Sequence, residues 1–280
     1  MARRPWPEHP RVVAIRRRWR SADLAVETVD AYSRHRTGRN AALIAHYGFL
    51  SIFPLLLAAT TVLGFVLQNR PKLRADIIDS ALAQVPIVGQ QIATDPSKLR
   101  GDVVVLVLGL LLTLWAAMRA FVMLQVALDD VAEVPRAERP NAARIRLHAL
   151  TGMGLIGSAQ IGTAIITSFV GVTGVLGISK VLLIISAVVI NTTVLTASYR
   201  WLTSTRPTWA SLWPGGVIGG FAFAGLQLIG TAVVGRAIAR ASPVYGTFAS
   251  VIGLLTWIGL HATIALLGAE LNRALVTTRR

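Results

Sequence analysis

The sequence predicts an all-α fold: a polytopic membrane helical bundle with six transmembrane helices, an N-terminal cytoplasmic amphipathic helix, and an amphipathic helix in the first outer loop. Three observations predict it. The chain of 280 residues is 54% hydrophobic and 15% charged, with a mean hydropathy of +0.60, far from the balance of a soluble domain. Six stretches approach or exceed the roughly 20 apolar residues that cross a hydrocarbon core: about 41–67, 103–127, 147–173, 178–199, 212–235 and 246–270. The arrangement of basic residues between them is one-sided. A membrane β-barrel would instead read as alternating segments of about ten residues, whereas VVVLVLGLLLTLW at 103–115 is unbroken.

With the amino terminus placed inside, the cytoplasmic pieces (1–40, 128–146, 200–211 and 271–280) hold 19 of the 28 basic residues. That excess sets the orientation, with both termini cytoplasmic. The domain division follows: a basic amphipathic segment at 1–40, the six-helix domain at 41–273 and a tail at 274–280. No cleavable leader is expected, because the first 40 residues are polar and the first apolar run is too long for a signal-peptide core. The net charge of +15 reads as orientation signal and contact with anionic inner-leaflet headgroups. No nucleic-acid partner is expected, since no aromatic platform or binding motif accompanies the charge. The chain has no cysteine, which removes disulfides, thiolate metal sites and cysteine nucleophiles together.

In RVVAIRRRWRSADLAVETVDAY, residues Val12, Ile15, Trp19, Ala22, Val26 and Val29 recur at spacings of three and four and predict one helix with a single apolar stripe. Arg16, Arg17, Arg18 and Arg20 lie mostly off the stripe, so that this group, with Trp19, suits the membrane surface. Docking on the bundle's own cytoplasmic face is the equal alternative. KLRADIIDSALAQVPIVGQQI places Leu73, Ile77, Ala81, Leu82 and Val85 on one side of a second such helix, read as a packing cap in preference to a moving gate.

Every span carries a polar residue at membrane depth: His46 and Ser51 on the first, Arg119 and Gln125 on the second, Gln160, Asn191 and Gln227 on the next three, His261 and Glu270 on the last. Such groups are costly against lipid and are default candidates for a shared interior cavity; interhelical hydrogen bonding for assembly alone is the plainer reading of each Gln or Asn. Arg119 cannot neutralise itself and needs a partner, for which Glu270 is the first choice and a lipid phosphate or polar substrate the second. Pro54 frees the carbonyl of Leu50 at a cost of roughly 3 kcal/mol. Tyr47 and Ser51 stand just before it, so the kink is expected to border a pocket of His46, Tyr47, Ser51, Arg119 and His261. A static kink is the alternative.

Two motifs are decoys. Gly152, Gly154 and Gly157 spell GxGxxG inside an apolar span, without the strand and acidic partner of a dinucleotide site, and are read as packing glycines. Gly215 with Gly219, and Gly216 with Gly220, have the spacing that lets membrane helices approach closely.

AALIAHYGFLSIFPLLLAATTVLG, residues 41–64, and SPVYGTFASVIGLLTWIGLHATIALLGAELNRAL, residues 242–275, resemble the first and last spans of the YihY/BrkB family of bacterial inner-membrane proteins. The first shares a tyrosine, serine, phenylalanine and proline, the last a Tyr-Gly-Thr opening, central tryptophan and Leu-Gly-Ala-Glu close. The arginine-rich amino terminus most resembles the YhjD branch. The resemblance implies a bacterial inner-membrane location and traffic of lipids or lipid-linked envelope precursors. It also brings an old ribonuclease label, which the residues oppose: His9, His35, His46, His148 and His261 are scattered, with no HxH or HExxH, so no hydrolytic metal centre is expected. No enzyme activity, cofactor or metal is expected. Lipid translocation, a small-solute transporter or channel, and a scaffold without substrate are the three readings, in that order. A second copy of the chain or an envelope-export protein is the partner left open.

Overall fold

A computed structural model describes residues 10–67, 103–172, 176–245 and 247–278, which form eight α-helices and one 3-10 turn, with no strand among the described residues. Pro10 stands at the first position of α1 (Pro10–Arg18), where its missing amide hydrogen costs nothing. The single stripe expected over 12–29 is broken. Trp19 is extended (φ −135°, ψ 112°) and opens α2 (Arg20–Arg34). Arg16 Nε donates to Asp23 at 2.6 Å and its Nη2 to Glu27 at 3.3 Å. In a straight helix residues 16 and 27 would stand about 16 Å apart, so this double clasp needs the elbow. Trp19 is consequently 60% exposed, beside exposed Arg18 and Arg20.

Each of the six expected apolar stretches coincides with a long helix: α3 (Thr37–Leu67), α4 (Val103–Val131), α5 (Ala142–Val172), α6 (Leu176–Leu202), α7 (Trp209–Tyr245) and α8 (Thr247–Thr277). The 3-10 turn, Arg136–Glu138, lies between α4 and α5. The helix expected around Leu73–Val85 lies outside the described residues. Among those described, α4 and the Val251–Thr277 part of α8 are long and apolar enough to cross a membrane. Only 11% and 17% of their most apolar windows are buried, the reverse of a soluble protein's core helix. Val103, Val104, Val107, Leu111 and Trp115 are among the exposed side chains of α4, and Val181, Leu182, Ile185 and Val189 among those of α6. Apolar faces of that extent are stable against lipid rather than water.

The chain divides into two units, one comprising Met1–Ile44, Phe121–Ala232 and Gly259–Arg280, the other Ala45–Ala120 and Val233–Ile258. The core of the first contains Ala127, Leu128, Leu195, Tyr199, Leu202 and Leu266. Glycines let its helices approach. A Cβ on Gly215 would strike the Gly268 carbonyl of α8, and one on Gly216 or Gly220 would strike Thr196 or Thr192 of α6, so both pairs of GGVIGG are packing contacts. The GxGxxG glycines differ from one another. Gly152 abuts Phe121 and Leu202, but a Cβ on Gly154 or Gly157 would meet nothing within 4 Å, which corrects the reading of all three as packing glycines.

Candidate functional site

Glu270 is the centre of the first unit's polar chemistry. It is fully buried near the end of α8. A carboxylate there requires donors on both oxygens, and the turn from α2 to α3 supplies them. Arg36 takes a left-handed conformation, φ 54°, which places His35 and Thr37 together on the carboxylate. Thr37 Oγ1 donates to Oε1 at 2.6 Å, and His35 Nδ1 lies 3.1 and 3.0 Å from Oε1 and Oε2. The other ring nitrogen, Nε2, is 3.4 Å from Glu133 Oε1, within ion-pair range though outside hydrogen-bond geometry. Arg273 Nη2 donates to Glu133 Oε2 at 2.6 Å. The result is a chain of alternating charge, Arg273, Glu133, His35 and Glu270, ending on the Thr37 hydroxyl.

The hydrogen bond to Glu270 raises the His35 pKa above its usual 6.5; burial opposes this, while the Glu270 charge and Glu133 add to it. For Glu133, burial pushes upward, but the hydrogen bond and charge of Arg273, with His35, outweigh it and hold the carboxyl below its usual range. The two carboxylates address opposite ring nitrogens of His35, so they do not converge on one point as metal ligands would. Among the described residues no group of three such side chains is placed to hold a metal ion.

Neighbouring bonds tie further elements to the same end of this unit. Asp130 accepts from Asn40 at 3.3 Å and Arg139 at 2.8 Å. Asp129, 3% exposed, accepts from the Ser204 amide and hydroxyl at 2.8 and 2.7 Å and fixes the α6–α7 turn. Asn272 bridges to α7, donating to the Leu212 carbonyl at 2.9 Å and accepting from the Gly215 amide at 2.6 Å. Tyr199 donates to the Ala265 carbonyl at 2.6 Å. Glu133 and Arg206, like Arg36, are left-handed (φ 55° and 45°), a conformation costing on the order of 1 kcal/mol outside glycine. Beside this network lies a half-open cavity of about 480 Å³. Leu128, Val131, Leu212 and Ala269 give it apolar walls, and Thr208 and Arg273 stand among its polar groups.

The sequence-predicted residues divide between the two units, with His46, Tyr47, Ser51, Pro54 and Arg119 in the second and the others in the first. Glu270 is in the network, but its oxygens are held by Thr37 and His35 rather than by the deep arginine expected as its partner. Arg119 is exposed, its guanidinium 5.6 Å from the Trp115 ring centre, a cation–π contact one turn back along its own helix. His46 is exposed and meets Tyr47 edge-on at 5.5 Å. Ser51 donates to the Gly48 carbonyl at 2.6 Å, so its hydroxyl does not serve Leu50, the carbonyl that Pro54 frees; α3 continues through Pro54 regardless. In the first unit, buried Gln125 lies 3.4 Å from His148, Asn191 makes a long 3.5 Å contact with Gln227, and His261 meets Phe223 edge-on at 4.9 Å. Gln160 lies in α5, with its side chain outside the described set. Of the surface group, Arg18, Trp19 and Arg20 are exposed, Arg16 is turned inward to its clasp, and the Arg17 side chain is not described.

His35, Thr37, Asn40, Asp129, Asp130, Glu133 and Asn272 were not among the candidates, although polar residues crowded at helix ends on the expected cytoplasmic side are the signal that marks them.

The sequence profile of the family described as virulence factor BrkB matches residues 28–280 of the chain. This chain belongs to the BrkB family. The matched range takes in the whole Glu270 network and both sequence blocks that carry the resemblance. No curated protein and no solved structure matches the chain. With its long apolar helices and lipid-suited faces, it is a membrane protein of the BrkB family.

Proposed function

We propose that this BrkB-family protein is a six-span bacterial inner-membrane protein, with both termini cytoplasmic, that takes part in translocating or exporting lipid or lipid-linked envelope precursors. The observation that carries the reading is the half-open cavity of about 480 Å³ in the first unit. Its apolar walls and hydroxyl and arginine groups match an amphiphile better than a hydrated ion, which would need polar walls. In this reading the protein holds or moves a lipid and makes or breaks no covalent bond. Glu270 is committed to His35 and Thr37, which supports a structural latch over the coupling carboxylate of a solute transporter.

A second reading, a scaffold without cargo, is favoured by one observation: the charges of the network are paired with each other, as assembly alone would require. Purification followed by mass spectrometry of retained lipid separates the two. The translocator reading expects one lipid class enriched over bulk membrane, and faster leaflet exchange of its labelled form in proteoliposomes. Filling the cavity with Ala132→Phe is expected to lower both. Bulk lipid composition with no leaflet exchange would leave the scaffold.

A further inference from the structure

The turn between α6 and α7 carries a feature that neither the Glu270 network nor the cavity uses. Three tryptophans flank it, Trp201 at the end of α6 and Trp209 and Trp213 at the start of α7, exposed by 46%, 48% and 58%. Trp201 and Trp209 meet edge-on at 6.2 Å. The Arg200 guanidinium lies 5.0 Å from the Trp209 ring centre and donates to the Pro207 carbonyl at 2.5 Å, which fixes the arginine on the indole. Arg206 is exposed at the tip.

Charge and apolar pattern identify the partner. No Asp or Glu occurs in the sequence between Glu138 and Glu270. The acidic side chain that reaches this turn from α4, Asp129, is buried with both oxygens occupied by Ser204. What the turn presents outward is therefore positive and aromatic. The exposed apolar side chains of α6, such as Val181, Ile185 and Val189, and those of α7, such as Ile218 and Phe221, precede and follow it. Apolar faces that terminate in tryptophan and arginine mark the passage from acyl chains to headgroups. A soluble protein partner would meet these indoles without the long apolar faces that adjoin them.

We propose that Trp201, Trp209 and Trp213, with Arg200 and Arg206, form a headgroup-level binding surface for anionic phospholipid. The indoles lie in the interfacial layer and the two guanidinium groups contact lipid phosphate, which sets the depth of α6 and α7. This surface requires only that the protein is embedded, and it stands whether or not lipid is moved.

The test uses the full chain with Trp6, Trp19, Trp115 and Trp257 replaced by Phe, so that fluorescence reports the turn alone, in nanodiscs of phosphatidylcholine with added phosphatidylglycerol. Lipids brominated high on the acyl chain are expected to quench more than lipids brominated near its end. At equal mole fraction, brominated phosphatidylglycerol is expected to quench more than brominated phosphatidylcholine. Arg206→Gln should reduce that preference about fivefold, and Arg200→Lys, which keeps the charge, should retain most of it. Equal quenching by the two lipids, or stronger quenching from the deep position, overturns the proposal without any variant. Absence of leaflet exchange in the same protein would leave it standing.

Discussion

The Glu270 network and the Pro54 segment of α3 both place polar groups in apolar helices, yet they satisfy them in opposite ways. Around Glu270, bonds join residues more than 200 positions apart in sequence, His35 and Thr37 to Glu270, and another long-range link, across 140 positions, runs from Arg273 to Glu133. Before Pro54, the Ser51 hydrogen bond and the His46 ring contact are local. Ser51 reaches Gly48, and His46 meets its neighbour Tyr47. A polar residue at membrane depth is therefore not by itself a sign of a shared cavity. It becomes one only when its partners come from other helices.

The sharpest way to break this contrast is Glu270→Ala, which leaves His35 and Thr37 facing a buried gap. Losing one partner of a buried charged set costs about 3–5 kcal/mol, so a marked drop in the thermal midpoint of detergent-solubilised protein is expected, with a smaller drop for Glu270→Gln. A midpoint within a degree or two of wild type for both variants would show the network to be incidental.

An intermediate effect is expected from pH. Because the folded-state pKa of His35 is raised, its contribution is fully present below about 6.5 and is lost as pH rises through the raised value. Glu133 has the opposite sign: its lowered pKa makes its contribution full above about 4.5 and lost on acidification. Stability is thus expected to be greatest between these limits and to fall toward alkaline pH. His35→Gln should flatten the alkaline limb, at a cost of about 2 kcal/mol at pH 6 for the lost charge-assisted bond. An unchanged alkaline limb in that variant would assign the effect to another group.

The smallest effect belongs to Pro54→Ala. Restoring an amide inside α3 is expected to leave stability unchanged or to raise it by no more than about 3 kcal/mol, read from the same thermal midpoint. A large destabilisation would mean that the segment around Pro54 holds distant partners, as Glu270 does, and the two regions would no longer differ.

The six long helices were legible because the apolar runs are long and unbroken, but their ends were not. α7 was expected to stop near 235 and continues to Tyr245 through Arg236 and Arg240. Hydropathy marks where a helix can meet oil, whereas backbone hydrogen bonding continues past that limit. The break at Trp19 was hidden for a related reason. The three-and-four spacing persists across it, while the clasp of Arg16 on Asp23 and Glu27, which spans the break, has no periodic signature. At the site, Glu270 was legible as a costly buried acid. Its partners were not, because His35 and Thr37 lie in a polar segment where neither stands out, and their meeting with Glu270 depends on a left-handed Arg36 that no periodicity encodes. Arg119 illustrates the converse. An isolated guanidinium looks in need of a carboxylate, but an indole one turn away meets the need.

The bonds of Glu270, Asn272 and Arg273 also impose an order in time. All three belong to α8, which leaves the ribosome after the other described helices, so His35, Thr37, Glu133 and the Gly215 amide wait until it emerges without these counterparts. Completion of this end of the protein is then a single late event, and a chain cut short before α8 would carry several unsatisfied groups into the bilayer for membrane proteases to recognise.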